Sequence, residues 1–143
     1  MALELPDHLR EITFLIVDDM SFYRSLVEQT LGNLGHVGKI YSAKDLKEAI
    51  NIVNEVYKTG GRIDFVIADY HLSDSTGVEL AKKMRAQKVL KNIPIVIFST
   101  DDNSNNIIEA IDAGVDNFFF KPIKDEILLE KINFCWNKRN NPK

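Results

Sequence analysis

Apolar residues in this chain gather in short unbroken runs, separated by stretches in which they recur every three or four positions. Residues 13–17 (TFLIV), 65–68 (FVIA) and 93–98 (IPIVIF) are the runs, and 115–120 (VDNFFF), interrupted by Asp116 and Asn117, is a further predicted strand. Continuous runs of this length predict strands buried on both faces, as in a parallel sheet covered by helices. Residues 37–41, interrupted by Gly38 and Lys39, predict a weaker strand. Between the runs, Tyr23, Val27, Leu31 and Leu34 step by four, four and three, and Leu46, Ala49, Ile50, Val53 and Val56 form a second stripe. Both predict amphipathic helices. Ser21 and Ser42 are the expected N-caps, with Asp45 at the third position of the second helix, where an acid favours the helix start. Gly35, the Thr59-Gly60-Gly61 segment and Gly114 are placed as helix stops. Val78, Leu80, Ala81 and Met84 begin a third helix, Ile107, Ile108, Ala110 and Ile111 lie on a fourth, and Ile127, Leu128, Ile132 and Cys135 line a last one.

Strand and helix thus alternate five times. That order predicts an α/β fold, a mostly parallel sheet with helices on both faces joined by right-handed crossovers. Residues 1–11 read as a loose or partly helical lead-in, 12–136 as one domain and 137–143 as a polar tail. The length of 143 residues suits a single domain with a sizeable core.

Four of the five predicted strands end in a residue of chemical use: Asp18–Asp19, Asp69, Ser99 and Lys121. In a parallel sheet those ends share one edge, where ligands of open α/β folds bind. Three carboxylates, a hydroxyl and an ammonium make a poor general acid/base set, since neither a histidine nor a carboxyl of raised pKa is evident. They suit phosphoryl transfer. Two carboxylates about 4 Å apart repel by roughly 4 kcal/mol at an effective dielectric near 20, which a divalent cation offsets; Mg²⁺ favours one or two carboxylates plus a phosphate. Asp69 is then a carboxylate nucleophile forming an acyl phosphate, with Lys121 and Ser99 meeting the charge on the phosphoryl oxygens. Taken singly, each of these residues is an ordinary loop or cap; the weight rests on all of them falling in order at strand ends.

Composition narrows the field. The formal net charge is -3 and Lys and Arg form no long cluster, so a nucleic-acid surface has no support. No apolar run approaches the roughly 20 residues of a membrane span, and the N-terminus does not read as a secretory signal. Cys135 is the single cysteine, in keeping with a reducing, cytoplasmic setting.

The motifs LIVDD at 15–19, FVIADYHLSDSTG at 65–77, PIVIFST at 94–100 and DNFFFKPI at 116–123 resemble the receiver domain of bacterial two-component response regulators, of the chemotaxis type. The spacings of 30 residues from Asp69 to Ser99 and 22 from Ser99 to Lys121 are similar too. The resemblance implies a doubly wound five-stranded sheet of flavodoxin-like order 2-1-3-4-5. It makes Asp69 the phosphoacceptor. Asp19, Asp69 and the backbone carbonyl of His71 would hold Mg²⁺ directly, with Asp18 acting through water. Ser99 and Phe118 would be the switch residues, Lys121 the phosphate partner, and the Lys121–Pro122 bond cis. It implies a phosphorelay protein that catalyses only its own phosphorylation and dephosphorylation. The donor would be a sensor histidine kinase or a phosphotransfer protein, and the output a downstream protein effector or a phosphorylation-dependent homodimer. No DNA-binding motif follows the receiver, which suits a stand-alone or excised domain. Phe118 and Phe119 are candidates for the docking face, the alternative being ordinary core, which is the favoured reading for Phe119.

Four positions depart from the family pattern. Ser73 replaces a common proline, His71 a common uncharged residue, Phe118 a tyrosine, and Thr100 a smaller residue beside the phosphate. Haloacid-dehalogenase-type phosphatases also use an Asp after a strand, but pair it with a second Asp two positions on, where this chain has His71. A pseudo-receiver would lack the acidic set, and a nucleotide-binding domain would need a Gly-rich loop after the first strand.

Overall fold

In the computed structural model of the chain, residues 3–100 and 103–141 are described. Five strands, β1 (Phe14–Val17), β2 (Ile40–Ala43), β3 (Phe65–Asp69), β4 (Ile95–Ser99) and β5 (Asn117–Phe120), alternate with five helices. The helices are α1 (Ser21–Asn33), α2 (Leu46–Lys58), α3 (Gly77–Arg85), α4 (Ser104–Asp112) and α5 (Asp125–Asn140). All strand pairs are parallel, in the order β2-β1-β3-β4-β5. The chain therefore moves outward from β1 to β2, then doubles back across β1 to β3 and runs to β5. This reversal opens a crevice beyond the ends of β1 and β3.

Every residue of β1, β3 and β4 is buried, which explains their unbroken apolar text. Side chains of a strand alternate between faces, and the core divides accordingly. Phe14, Ile16, Phe65, Ile67, Val96 and Phe98 pack with Val27, Leu31, Leu128 and Ile132 of α1 and α5. Leu15, Val17, Val66, Ala68, Ile95 and Ile97 pack with Ala49, Val53, Leu80, Met84 and Ala110 of α2, α3 and α4.

Several local expectations need correction. The second strand lies at Ile40–Ala43 rather than 37–41, because the Val37 and Gly38 amides donate to the Arg10 carbonyl while Ile40 to Ala43 pair with β1. Ser42 is consequently inside a strand, and Asp45 is the cap of α2, accepting from the Glu48 N–H at 2.8 Å. Ser21 is the first residue of α1 rather than its cap; the cap position is Met20, without a side-chain cap bond. The lead-in is partly helical: it holds a 3-10 turn at Asp7–Leu9, and Leu5 and Leu9 are buried against the α1/α5 layer. Helix α5 also runs on to Asn140, into the residues read as tail.

At the amino-terminal edge of the sheet, Asp116 is 3% exposed and fully countered. Arg85 Nη2 and Arg139 Nε donate to it at 3.1 and 2.6 Å, and the Ile95 N–H at 2.9 Å. Arg85 also donates to the Gly114 and Ile93 carbonyls, tying α3 to the segments that lead into β5 and β4. Burial and the neighbouring Arg139 pull the Arg85 guanidinium down to about 10, which leaves it charged at neutral pH.

Candidate functional site

The carboxyl ends of β1, β3, β4 and β5 bring the sequence-predicted residues together. Asp69 is the last residue of the central strand, paired with Phe98 of β4. Asp18 follows β1 directly, and its backbone N–H donates to the Ala43 carbonyl. Ser99 closes β4 and is fully buried. Lys121 follows β5, and its backbone N–H donates to the Ser99 carbonyl at 2.9 Å. The Lys121–Pro122 bond is cis, as the resemblance implied.

Lys121 is the hub. Its side chain is 5% exposed, and Nζ lies 3.1 Å from Oδ2 of Asp69 and 3.1 Å from Oδ2 of Asp18. The same ammonium sits 3.5 Å from the centroid of the Tyr23 ring and 5.0 Å from that of Phe98. A desolvated cation over aromatic faces is held by the ring quadrupoles. Neither ring was assigned to the site from sequence: the helical spacing places Tyr23 on a buried stripe, and nothing local reveals a lysine that arrives from 98 positions away.

Asp18, Asp19 and Asp69 form one acidic group, with ligand oxygens all within 4.8 Å of one another. Asp18 and Asp69 are buried and Asp19 is exposed. Burial pushes the Asp69 carboxyl above the ordinary carboxylate value, opposed chiefly by Lys121. Burial pushes Asp18 up as well, opposed by the Met20 N–H that donates to Oδ1 at 2.8 Å and reinforced by Asp69. A carboxyl of raised pKa, not evident in the sequence, is thus a feature of the folded site. The sequence shows the acids but not that two of them lose their water.

Three carboxylates against one ammonium leave a net charge of about −2 in a small volume. Hard oxygen donors with excess negative charge at a solvent-open rim are what Mg²⁺ takes, since it keeps waters on its open side. The donor set fits that ion.

The loop after Asp69 is closed by its own hydrogen bonds. The His71 N–H donates to Asp69 Oδ1 at 3.4 Å, Leu72 N–H to the Ser75 carbonyl, and Gly77 N–H to the Tyr70 carbonyl. The His71 side chain is exposed, and its residue bridges to Thr76. Thr76 caps α3 by accepting from the Glu79 N–H. Gly77 starts that helix hard against the site: a Cβ there would stand 2.5 Å from the Asp69 carbonyl oxygen. Tyr70, beside the candidate acceptor, donates through its hydroxyl to Glu109 of α4 at 2.9 Å.

Phe119 is core as expected, 4% exposed, and the docking expectation is corrected for Phe118, which is 8% exposed and also belongs to the core. Exposed apolar side chains on that side of the molecule are instead Ile108 and Ile111 of α4, Phe120 of β5 and Phe134 of α5. Asp101 and Asp102, in the segment after Ser99, lie outside the described residues.

The response regulator receiver domain model matches residues 14–133. The chain belongs to that family. Among curated relatives, a chemotaxis protein CheY homolog of Campylobacter jejuni is 32% identical over 118 residues, covering 82% of this chain and 87% of that protein. Chemotaxis protein CheY of Pseudomonas aeruginosa is 31% identical over 126 residues, covering 88% and 97%. Among solved structures, the chemotaxis response regulator CheY4 of Vibrio cholerae superposes with a TM-score of 0.73 at 28% identity, covering 86% of this chain and 97% of that one. A CheY-like receiver domain of Methanospirillum hungatei reaches a TM-score of 0.77 at 22% identity, covering 93% and 99%, a likeness of fold. A receiver of this type is a phosphorylation-activated signalling switch. Among the described residues, no helix of this receiver is long and apolar enough to cross a membrane.

Proposed function

We propose that this receiver takes a phosphoryl group on Asp69. The observation that carries the reading is the Asp69 carboxylate at the end of the central strand, 3.1 Å from Lys121 and grouped with Asp18 and Asp19. Asp19, Asp69 and the His71 carbonyl would hold Mg²⁺, with Asp18 at one remove. Bound there, the ion supplies charge neutralisation that lets an anionic acceptor approach an anionic donor.

An Asp69 oxygen attacks phosphorus on a phosphohistidine. The new O–P bond makes an acyl phosphate, the P–N bond breaks, and the imidazole leaves with the electron pair. Lys121 then exchanges part of its contact with Asp69 Oδ2 for the phosphoryl oxygens, and the Ser99 hydroxyl donates a hydrogen bond to them. Phosphorylation adds about 1.5–2 negative charges and three acceptors. Ser99 and Lys121 move toward these, and Phe118 repacks beside Tyr70, whose ring lies 6.5 Å away. The change reaches α4 and the exposed Ile108, Ile111, Phe120 and Phe134. A protein effector, or a second copy in a phosphorylation-dependent homodimer, that binds one form better shifts the balance by its differential affinity. The donor is a sensor histidine kinase or a phosphotransfer protein of the cytoplasm. The chain turns over no other substrate.

Asp69→Asn and Asp69→Ala should abolish labelling by acetyl phosphate with Mg²⁺. Labelling that persists at another residue removes Asp69 from its role. Beryllofluoride with Mg²⁺ should shift the amide resonances of Asp69, Ser99, Phe118 and Lys121 together; a silent spectrum favours a pseudo-receiver.

A further inference from the structure

Helix α2 is capped twice, and one of the caps comes from the loop that follows Asp69. Its third N–H, of Glu48, goes to Asp45 Oδ1, and the Glu48 carboxylate accepts from the Lys44 N–H. Its first two N–H groups, of Leu46 and Lys47, donate to the two oxygens of Asp74 at 2.9 and 3.1 Å. Helix starts leave such donors without backbone partners, and a carboxylate there is also favoured by the helix dipole. The local cap accounts for Asp45. It does not account for Asp74, which stands 28 positions away in the loop 70–76. The Leu46 N–H is the main cause holding the Asp74 carboxyl below its ordinary value.

That loop carries the His71 carbonyl. It contains no proline to stiffen it, and its two ends are already fixed by Asp69 and by α3. Its middle, residues 73–75, is exposed or half-buried and is held by the Leu72 N–H bond to the Ser75 carbonyl and by the Asp74 carboxylate, which is anchored to a helix packed on the same sheet. A two-oxygen bond to two adjacent amides fixes orientation as well as position.

We infer that Asp74 is a positioning residue for the metal site, its two-pronged bond to the start of α2 holding in place the acceptor loop that carries the His71 carbonyl. This rests on the proposed Mg²⁺ site. Partners one shell out from a metal ligand commonly govern affinity by tenfold or more. The tether also joins α2 mechanically to the acceptor loop.

The test is Mg²⁺ alone titrated into the full chain while amide shifts are followed, for wild type, Asp74→Ala and Asp45→Ala. Asp74→Ala should weaken Mg²⁺ binding by about tenfold and speed hydrogen exchange at the Leu46, Lys47 and Leu72 amides in the metal-free protein. Labelling by acetyl phosphate should return to the wild-type level when Mg²⁺ is raised to saturation. Asp45→Ala, which removes the local cap without touching the loop, should leave Mg²⁺ affinity unchanged. Equal Mg²⁺ affinity in wild type and Asp74→Ala, or equal weakening in both variants, overturns the inference while leaving the phosphoryl switch intact. A wild type that binds no Mg²⁺ overturns the metal site itself, and the inference with it.

Discussion

Replacing Asp69 by asparagine should stabilise the metal-free protein while destroying its proposed function. The Lys121 ammonium attracts Asp69 across 3.1 Å, worth about 5 kcal/mol at an effective dielectric near 20. Asp18, within 4.8 Å, repels it by about 3.5 kcal/mol on the same scale. Asp19 adds repulsion of about 1–2 kcal/mol, reduced because it faces water. Attraction and repulsion cancel to within about 1 kcal/mol on this scale, so the loss of solvent decides the sign. Burial is the largest influence on Asp69 and raises its pKa. A carboxyl whose folded pKa lies above its unfolded value binds more protons when folded, so stability falls as pH rises from the unfolded value of 3.8 through the folded one. At neutral pH the charged acid is a burden, and asparagine keeps an acceptor for the His71 N–H. The expected gain is about 1–2 kcal/mol, or about 3–7 °C in Tm for a chain of this size. The assay is thermal and urea unfolding in EDTA at low salt, repeated down to pH 4, where the difference should shrink. Adding Mg²⁺ to about 100 times its Kd should stabilise the wild type by about 2.7 kcal/mol and reverse the order. A variant less stable than wild type in EDTA at pH 7 refutes the reasoning.

Asp116→Asn should cost about 1.5–3 kcal/mol in urea unfolding, because it leaves the half-buried Arg85 and Arg139 without their counter-charge. Gly77→Ala forces a Cβ to within 2.5 Å of the Asp69 carbonyl and 2.6 Å of Ile97 Cδ1; the expected loss is about 1–3 kcal/mol, with slower labelling by acetyl phosphate because Asp69 is displaced. Tyr70→Phe removes the hydroxyl that holds Glu109, costs about 0.5–1.5 kcal/mol, and should speed hydrogen exchange at the amides of α4.

Strand ends are where the sequence speaks most clearly. Asp18, Asp69, Ser99 and Lys121 could be gathered into one pocket on paper because parallel strands deliver their carboxyl ends to one edge whatever their separation in the chain. The same logic fails where an outcome depends on how far an element reaches. Ser42 and Asp45 are both good caps; which one serves is decided by β2 staying in register with β1 as far as Ala43. Phe118 and Phe120 share a side of the edge strand, yet only Phe118 is covered. That depends on the packing of the layer above, which alternation does not encode. Tyr23 under Lys121 and Asp74 at the start of α2 are contacts between distant segments, with no local signature at either end.

The two edges of the sheet treat a buried aspartate in opposite ways. Asp116 meets two guanidiniums and a backbone N–H, so its charge is matched and the edge is locked. Asp69 shares a single ammonium with Asp18 and stands beside a third acid. The first arrangement is at its best as it stands; the second improves when a cation arrives. A site that is complete without its ligand has no free energy to gain from binding one, whereas an under-compensated acidic site couples ion binding and charge addition to the positions of the groups around it. Lys121 is the means of that coupling. Under the proposed phosphorylation of Asp69, it could not satisfy Asp18, Asp69 and a phosphoryl group equally, so its contacts would redistribute, and its backbone N–H to the Ser99 carbonyl would pass the change to the end of β4. The same Asp→Asn substitution should therefore destabilise one edge and stabilise the other, and that difference in sign separates the edge that holds the fold from the edge that switches.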